Sequence, residues 1–149
     1  MQNKHFTFEI KKGTIQSVVA LSQQIPELKN PYGVDEYEKR LEQVPHIILV
    51  AYRGDHAAGF KVGYEREGYF YSWMGGVLPG YRRNGIALAL AQEQESWARK
   101  KSYDSVTFKT RNQHKAMLAF GLGNGFDIVK VEPWEDVSQN RIWLRKEFK

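Results

Sequence analysis

Two adjacent arginines, Arg82 and Arg83, are followed by Asn84 and a glycine, Gly85, that opens an Ala/Leu-rich run, Ile86-Ala87-Leu88-Ala89-Leu90. Upstream, an apolar segment ends at Val77-Leu78 and is broken by Pro79-Gly80. A strand, a tight cationic turn and a helix beginning at glycine leave several main-chain N–H groups without intrahelical acceptors. Vacant amides beside positive charge suit a phosphate or pyrophosphate. Backbone N–H groups from Arg83 through Asn84, Gly85, Ile86, Ala87 and Leu88 are therefore the candidate cradle. Gly85 and Ala87 are small enough to let oxygens reach the main chain. The two arginines would add charge, although either could be a solvated turn residue.

Other chemistries find little support. There is no cysteine, so disulfides, a catalytic thiol and thiolate metal sites are excluded. The four histidines, His5, His46, His56 and His114, include no pair at metal-ligand spacing on one element, so no metal is expected. No nucleophile elbow accompanies a Ser-His-acid set. Trp73, Trp97, Trp134 and Trp143 fall on inferred strands or helices and read as core residues.

The elements that must position the loop are legible in order. Residues 6–11 alternate as a strand, with Phe6, Phe8 and Ile10 on one face. Thr14 caps a helix to about residue 24, striped by Ile15, Val18, Val19 and Ser22. A second, acid-rich helix spans 34–44 after the Asn30-Pro31-Tyr32-Gly33 loop. Strands follow at 46–53, 57–64 and 69–77, joined by turns at 53–56 and 65–68. The first of these is nearly all apolar, as for a strand covered on both faces. Gly75-Gly76 in the third suggests a bulge or the close approach of a ligand backbone. Residues 85–101 form the clearest helix, with Ile86, Ala87, Leu90, Ala91, Trp97 and Ala98 on one face. A strand at 106–110 leads to a helix capped by Asn112 or Gln113 and carrying Ala116, Met117, Phe120 and Leu122. Gly123 and Gly125 end it, and strands at 126–134 and 141–148 close the chain.

This β-α-α-β-β-β-α-β-α-β-β order, with Arg82-x-x-Gly85-x-Ala87 between the fourth strand and third helix, resembles the GNAT superfamily of N-acetyltransferases. Asn112 and Asn124-Gly125-Phe126 add to the likeness, which covers nearly the whole chain. The resemblance implies one domain over residues 1–149. It also implies an α/β (α+β) fold with a mixed, mostly antiparallel sheet of six to seven strands flanked by four helices. Acetyl-CoA would be the co-substrate. The fourth and fifth strands would splay, and main-chain groups near Gly75 and Val77 would pair with the pantetheine arm. Asn112 would contact that arm, cap a helix, or do both. An amine would attack the thioester directly, with an N–H on the bulged fourth strand steadying the oxyanion.

The chain departs from the family where many members carry a tyrosine acid on the fourth helix. Ala119, Phe120 and Gly121 stand there, and none donates a side-chain proton. The base is not identifiable. Tyr71 and Ser72 are weak catalytic candidates, and Glu36 or Glu38 could relay a water, but each also reads as structural. The acceptor would lie between Tyr32, Asp35, Glu36 and Tyr37 on one side and Trp134, Glu135 and Asp136 on the other. Acids and aromatics together would suit a cationic amine. The alternative is a non-catalytic acyl-CoA sensor or interaction module.

Composition sets the remaining bounds. The 149 residues are 42% hydrophobic, enough for a packed core. The net charge of +5 is spread in short pairs with no basic arm, so no nucleic-acid partner is expected. The early polar N-terminus does not look like a signal peptide. No apolar run approaches the roughly 20 residues of a membrane span. A cytoplasmic protein with a small-molecule or peptide amine acceptor, and a possible homodimer, is the expectation.

Overall fold

The computed structural model describes residues 7–149, so Phe6 and His5 lie outside the described residues. Among these residues the chain forms seven strands and four α-helices. The strands are β1 (Glu9–Lys12), β2 (His46–Arg53), β3 (His56–Arg66), β4 (Tyr69–Val77), β5 (Ser105–Arg111), β6 (Asp127–Glu132) and β7 (Arg141–Glu147). The helices are α1 (Ile15–Ser22), α2 (Val34–Leu41), α3 (Ile86–Lys100) and α4 (Lys115–Gly123). Short 3-10 turns at Pro79–Tyr81 and Val137–Gln139 complete the order. One sheet runs β1-β2-β3-β4-β5-β7-β6, antiparallel throughout except for the β4–β5 pair. The expected mixed sheet and its helices are present.

Local chemistry explains the elements. Thr14 caps α1 through a reciprocal box: its hydroxyl accepts from the Ser17 N–H at 3.1 Å, and Ser17 Oγ accepts from the Thr14 N–H at 3.0 Å. Such a cap stabilises a helix end by about 1 kcal/mol. The nearly all-apolar β2 lies inside the sheet, where Ile47 through Ala51 are buried. β3 extends to Arg66, beyond the expected residue 64, because the turn narrows to Glu67-Gly68, both left-handed.

The two faces of the sheet carry separate cores. Val18, Leu21, Tyr37 and Leu41 of α1 and α2 pack on Val50, Phe60, Val62 and Tyr71. Ile86, Leu90 and Ala98 of α3 pack on Leu49, Phe70, Val106 and Leu144. Ala87, assigned to the buried stripe of α3, is exposed, while Gln94 and Glu95 are buried. α4 also differs from expectation. Met117 and Leu122 face outward, and Gly121 meets the sheet, where an added Cβ would lie 2.8 Å from the Phe108 ring. A side chain at 121 would lift the helix off β5. No helix among the described residues is long and apolar enough to cross a membrane.

Candidate functional site

The loop before α3 is shaped by its own side chains. Pro79 opens the 3-10 turn, and the Tyr81 and Arg82 N–H groups close it onto Leu78 O and Pro79 O. Asn84 Nδ2 donates to Tyr81 O at 3.2 Å and to Arg82 O at 3.0 Å. Arg83 and Gly85 both adopt left-handed conformations, φ 66° and 80°. Alternating handedness at a helix start turns successive N–H groups toward one point, a concavity suited to anions. Ala89 N–H is the first to bond back, to Gly85 O at 3.0 Å. Among the described residues, no protein acceptor meets the N–H groups of Arg83 through Leu88. Nothing lies within 4 Å of the position a Cβ would take on Gly85. Ile86 contributes only main chain, since its side chain is core.

The two arginines have different roles. Arg82 holds Glu27 in a bidentate pair at 2.7 and 2.9 Å, and its Nε donates to Val77 O at 2.9 Å. It therefore ties the segment after α1 to the end of β4 and is not free to meet an anion. The guanidinium holds the Glu27 carboxyl below its ordinary range. Arg83 is exposed and has no carboxylate partner among the described residues. It is the cation the cradle can use.

β4 and β5 pair only at Phe70↔Val106 and Tyr71↔Thr107 and then separate. The edge of β4 from Ser72 to Val77 consequently lacks a neighbour on its β5 side. The bulge in β4 falls at Trp73, between the pairs Gly63↔Ser72 and Val62↔Met74, and not at Gly75-Gly76 as expected. Gly76 has a local reason to be small: a Cβ there would lie 2.7 Å from Ile25 Cδ1. Gly75 borders the gap, with Phe60 O 3.1 Å from the equivalent position. Val77 O is already bonded to Arg82.

Asn112 does not cap α4. His114 holds the cap position, and no side chain there accepts a bond. Asn112 instead ties the start of the β5–α4 connection to the second 3-10 turn. Its N–H donates to Asn140 O at 2.8 Å, its Nδ2 donates to Val137 O at 3.2 Å, and its Oδ1 accepts from Lys115 at 3.0 Å.

On the α1–α2 face, beside the β4–β5 gap, the structure collects aromatic rings. Trp73 lies 4.6 Å from Tyr37, 5.6 Å from Tyr32 and 5.8 Å from Tyr64. Of the expected acceptor residues, Tyr32 and Trp134 are exposed, whereas Tyr37 is fully buried. Two of the four expected carboxylates are engaged. Glu36 bonds Arg40 at 2.7 Å, which holds its carboxyl low, and Asp136 accepts from the Ser138 N–H and hydroxyl. The other two, Asp35 and Glu135, are exposed and have no ion-pair partner among the described residues, and cations stand beside the rings of this face.

Arg40 lies 4.4 Å from the Trp73 ring, Arg66 5.2 Å from Tyr71, Lys109 5.0 Å from Trp143, and Arg111 4.5 Å from Trp134. These four were not foreseen, because they come from three separate segments, α2, β3 and β5, and none belongs to a motif. Trp73 packs against the α1–α2 core and Trp97 against Phe70 and Tyr103, as expected, whereas Trp134 is exposed and Trp143 is a half-buried ring beside Lys109.

Tyr71 and Ser72 do not act together. By strand alternation they face opposite sides of the sheet. Burial pushes the Tyr71 hydroxyl up to about 12, with nearby Arg66 opposing. That phenol stays protonated at neutral pH, able to donate a proton but not to serve as a base. Among the described residues no group of His, Asp and Glu is arranged to hold a metal ion.

The chain belongs to the GNAT acetyltransferase family. The model described as "Acetyltransferase (GNAT) family" matches residues 15–126. No curated protein matches the sequence significantly. Solved structures share the fold at low identity. The ribosomal-protein-S18-alanine N-acetyltransferase of Escherichia coli superposes with a TM-score of 0.79 at 15% identity, covering 95% of this chain and 94% of its own. Ard1 of Thermoplasma volcanium gives 0.78 at 20%, over 95% and 98%. A GNAT family acetyltransferase of Elizabethkingia anophelis, solved with acetyl-CoA bound, gives 0.71 at 18%, again over 95% and 98%.

Proposed function

We propose that the protein is an acetyl-CoA-dependent N-acetyltransferase, a single domain that moves the acetyl group to a primary amine by direct attack on the thioester. The observation that carries this reading is the row of unpaired N–H groups from Arg83 to Leu88, in a loop held open by Asn84 and the left-handed Gly85. Those amides would hold the pyrophosphate, with Arg83 beside them. The gap after Tyr71↔Thr107 gives the pantetheine arm a strand edge along Ser72 to Val77.

The amine nitrogen bonds the thioester carbon, the C–S bond breaks, and the thiolate leaves with CoA. A free alkylamine is mostly protonated at neutral pH, with a reference value of about 10.4, so its proton must depart before attack. Glu36 is a poor base for this because Arg40 stabilises its charged form. Solvent at the open β4–β5 gap is the proposed proton acceptor, and Tyr71, protonated and beside the gap, the proposed donor to the thiolate. The N–H groups at the Trp73 bulge are the proposed oxyanion donors.

Incubation with acetyl-CoA and a panel of amines, scoring CoA release, tests the reading. Turnover above the amine-free rate is expected. Because Ala119, Phe120 and Gly121 offer no proton donor on α4, the competing reading is a non-catalytic acyl-CoA sensor. Tight acetyl-CoA binding with no turnover on any amine would favour it.

A further inference from the structure

The acceptor side of the gap carries a charge pattern that neither the cradle nor the fold requires. Lys109 and Trp143 are directly opposed on β5 and β7, and Arg111 and Arg141 are opposed two residues on. Like charges facing one another across a ladder destabilise a sheet. Arg66 reaches in from β3, 5.2 Å from the Tyr71 ring and 5.9 Å from that of Trp143, and Arg40 approaches from α2. Burial, followed by Arg141, Arg66 and Arg40, lowers the Lys109 amine to about 8, with only Glu132 opposing.

The nearby acids do not neutralise this group. Glu36 pairs with Arg40, Glu67 lies 3.7 Å from Arg66, and Glu132 accepts from Trp143 Nε1 and lies 3.8 Å from Lys130. Among the described residues, no carboxylate lies within 4.0 Å of Lys109, Arg111 or Arg141. Lys109, beside the Tyr71 and Trp143 rings, thus heads a patch that continues along β5 and β7 to Arg141 and to Arg111, which lies over Trp134 and donates to Gln139 O. The patch is compact, bounded by Glu132 on the β6 side, so it suits one or two carboxylates better than a polynucleotide track.

We propose that the acceptor amine belongs to an anionic molecule whose carboxylate is taken by Lys109, Arg111 and Arg141. The inference rests on the N-acetyltransferase reading and replaces the cationic amine expected from the sequence. The amine would lie toward the β4–β5 gap and the carboxylate toward β7. A free amino acid and the N-terminus of an acidic peptide share this chemistry.

Matched pairs differing only in charge provide the test. β-Alanine against β-alaninamide probes the small-molecule source. Hexapeptides beginning Asp-Glu against Asn-Gln probe the peptide source. The carboxylate member of at least one pair should show kcat/KM about tenfold higher or more, with the advantage shrinking as salt rises. Whichever pair shows the advantage identifies the source. Lys109→Met and Arg141→Gln should each raise KM for that carboxylate acceptor about tenfold while leaving KM for acetyl-CoA unchanged. Amides equal to or better than acids in both pairs, or variants that change KM for acetyl-CoA instead, would overturn the inference.

If acetyl-CoA binds but no amine turns over, the catalytic reading alone fails. Calorimetry on the CoA-loaded protein then decides the inference. Salt-sensitive binding of the acids over the amides sustains it, and no such preference ends it.

Discussion

On the proposed reading, the two sides of the β4–β5 gap would recognise charge by different means. At the start of α3 the recognising groups would be main-chain amides from six consecutive residues, with Arg83, which has no carboxylate partner among the described residues, beside them. On the opposite face the recognising groups would be side-chain cations from α2, β3, β5 and β7, set over aromatic rings. The first depends on backbone shape and is insensitive to pH. The second depends on formal charge, part of which titrates near neutrality at Lys109. On that reading one fold would hold a constant ligand by geometry and choose a variable one by electrostatics.

The largest expected effect breaks the geometric side. Gly85→Tyr should weaken acetyl-CoA binding about tenfold or more, read by calorimetry, because the side chain enters the open space in front of the amides. Gly85→Ala shares the left-handed strain, about 1–2 kcal/mol, but not the obstruction, and should keep most of the affinity. Equal losses would assign the effect to strain alone.

Next, Arg83→Ala should lower acetyl-CoA affinity roughly threefold to tenfold, less at high salt, with the melting temperature little changed. Arg82→Ala should do the reverse, lowering the melting temperature more than the affinity, because Arg82 braces Glu27 and Val77.

On the electrostatic side, Lys109 supplies a stability test. Its folded value, about 8, lies below its ordinary 10.5. Between those values the unfolded chain binds more protons, so stability rises with pH across that window. Lys109→Met should therefore melt higher than wild type at pH 7, with the gain fading as pH climbs from about 8 to about 10.5.

The smallest effect concerns Glu27, whose carboxyl is held below its ordinary 4.5 by Arg82. A lowered carboxylate stabilises the fold above the unfolded value and stops doing so as pH falls through the folded one. Glu27→Gln should destabilise by about 1 kcal/mol or less near pH 7, the pair being exposed, and the difference should vanish on acidification below 4.5.

How much was legible in the sequence follows the same division. The cradle is contiguous, so Pro79, Gly85 and the apolar run after it announce a turn and a helix start without tertiary information. The order of elements was readable for the same reason, as period and breakers are local. The role of Arg82 was not, because its partner Glu27 lies 55 residues away. Nor was the acceptor face. Arg40, Arg66, Lys109 and Arg141 look like surface residues in sequence, and only the sheet register brings them together. The engagement of Glu36 was not legible either, because its partner Arg40, and not its residue type, decides whether its charge is available. The helix face of α4 was misassigned because Gly121, the residue that touches the sheet, has no side chain to register in an apolar stripe.

The most direct test of the central claim is a titration of the 15N-labelled protein with acetyl-CoA, followed by amide chemical shifts. The account predicts the largest downfield movements at Gly85, Ile86, Ala87 and Leu88, reproduced by a CoA fragment that keeps the pyrophosphate. Binding that leaves those amides in place and moves others would contradict it.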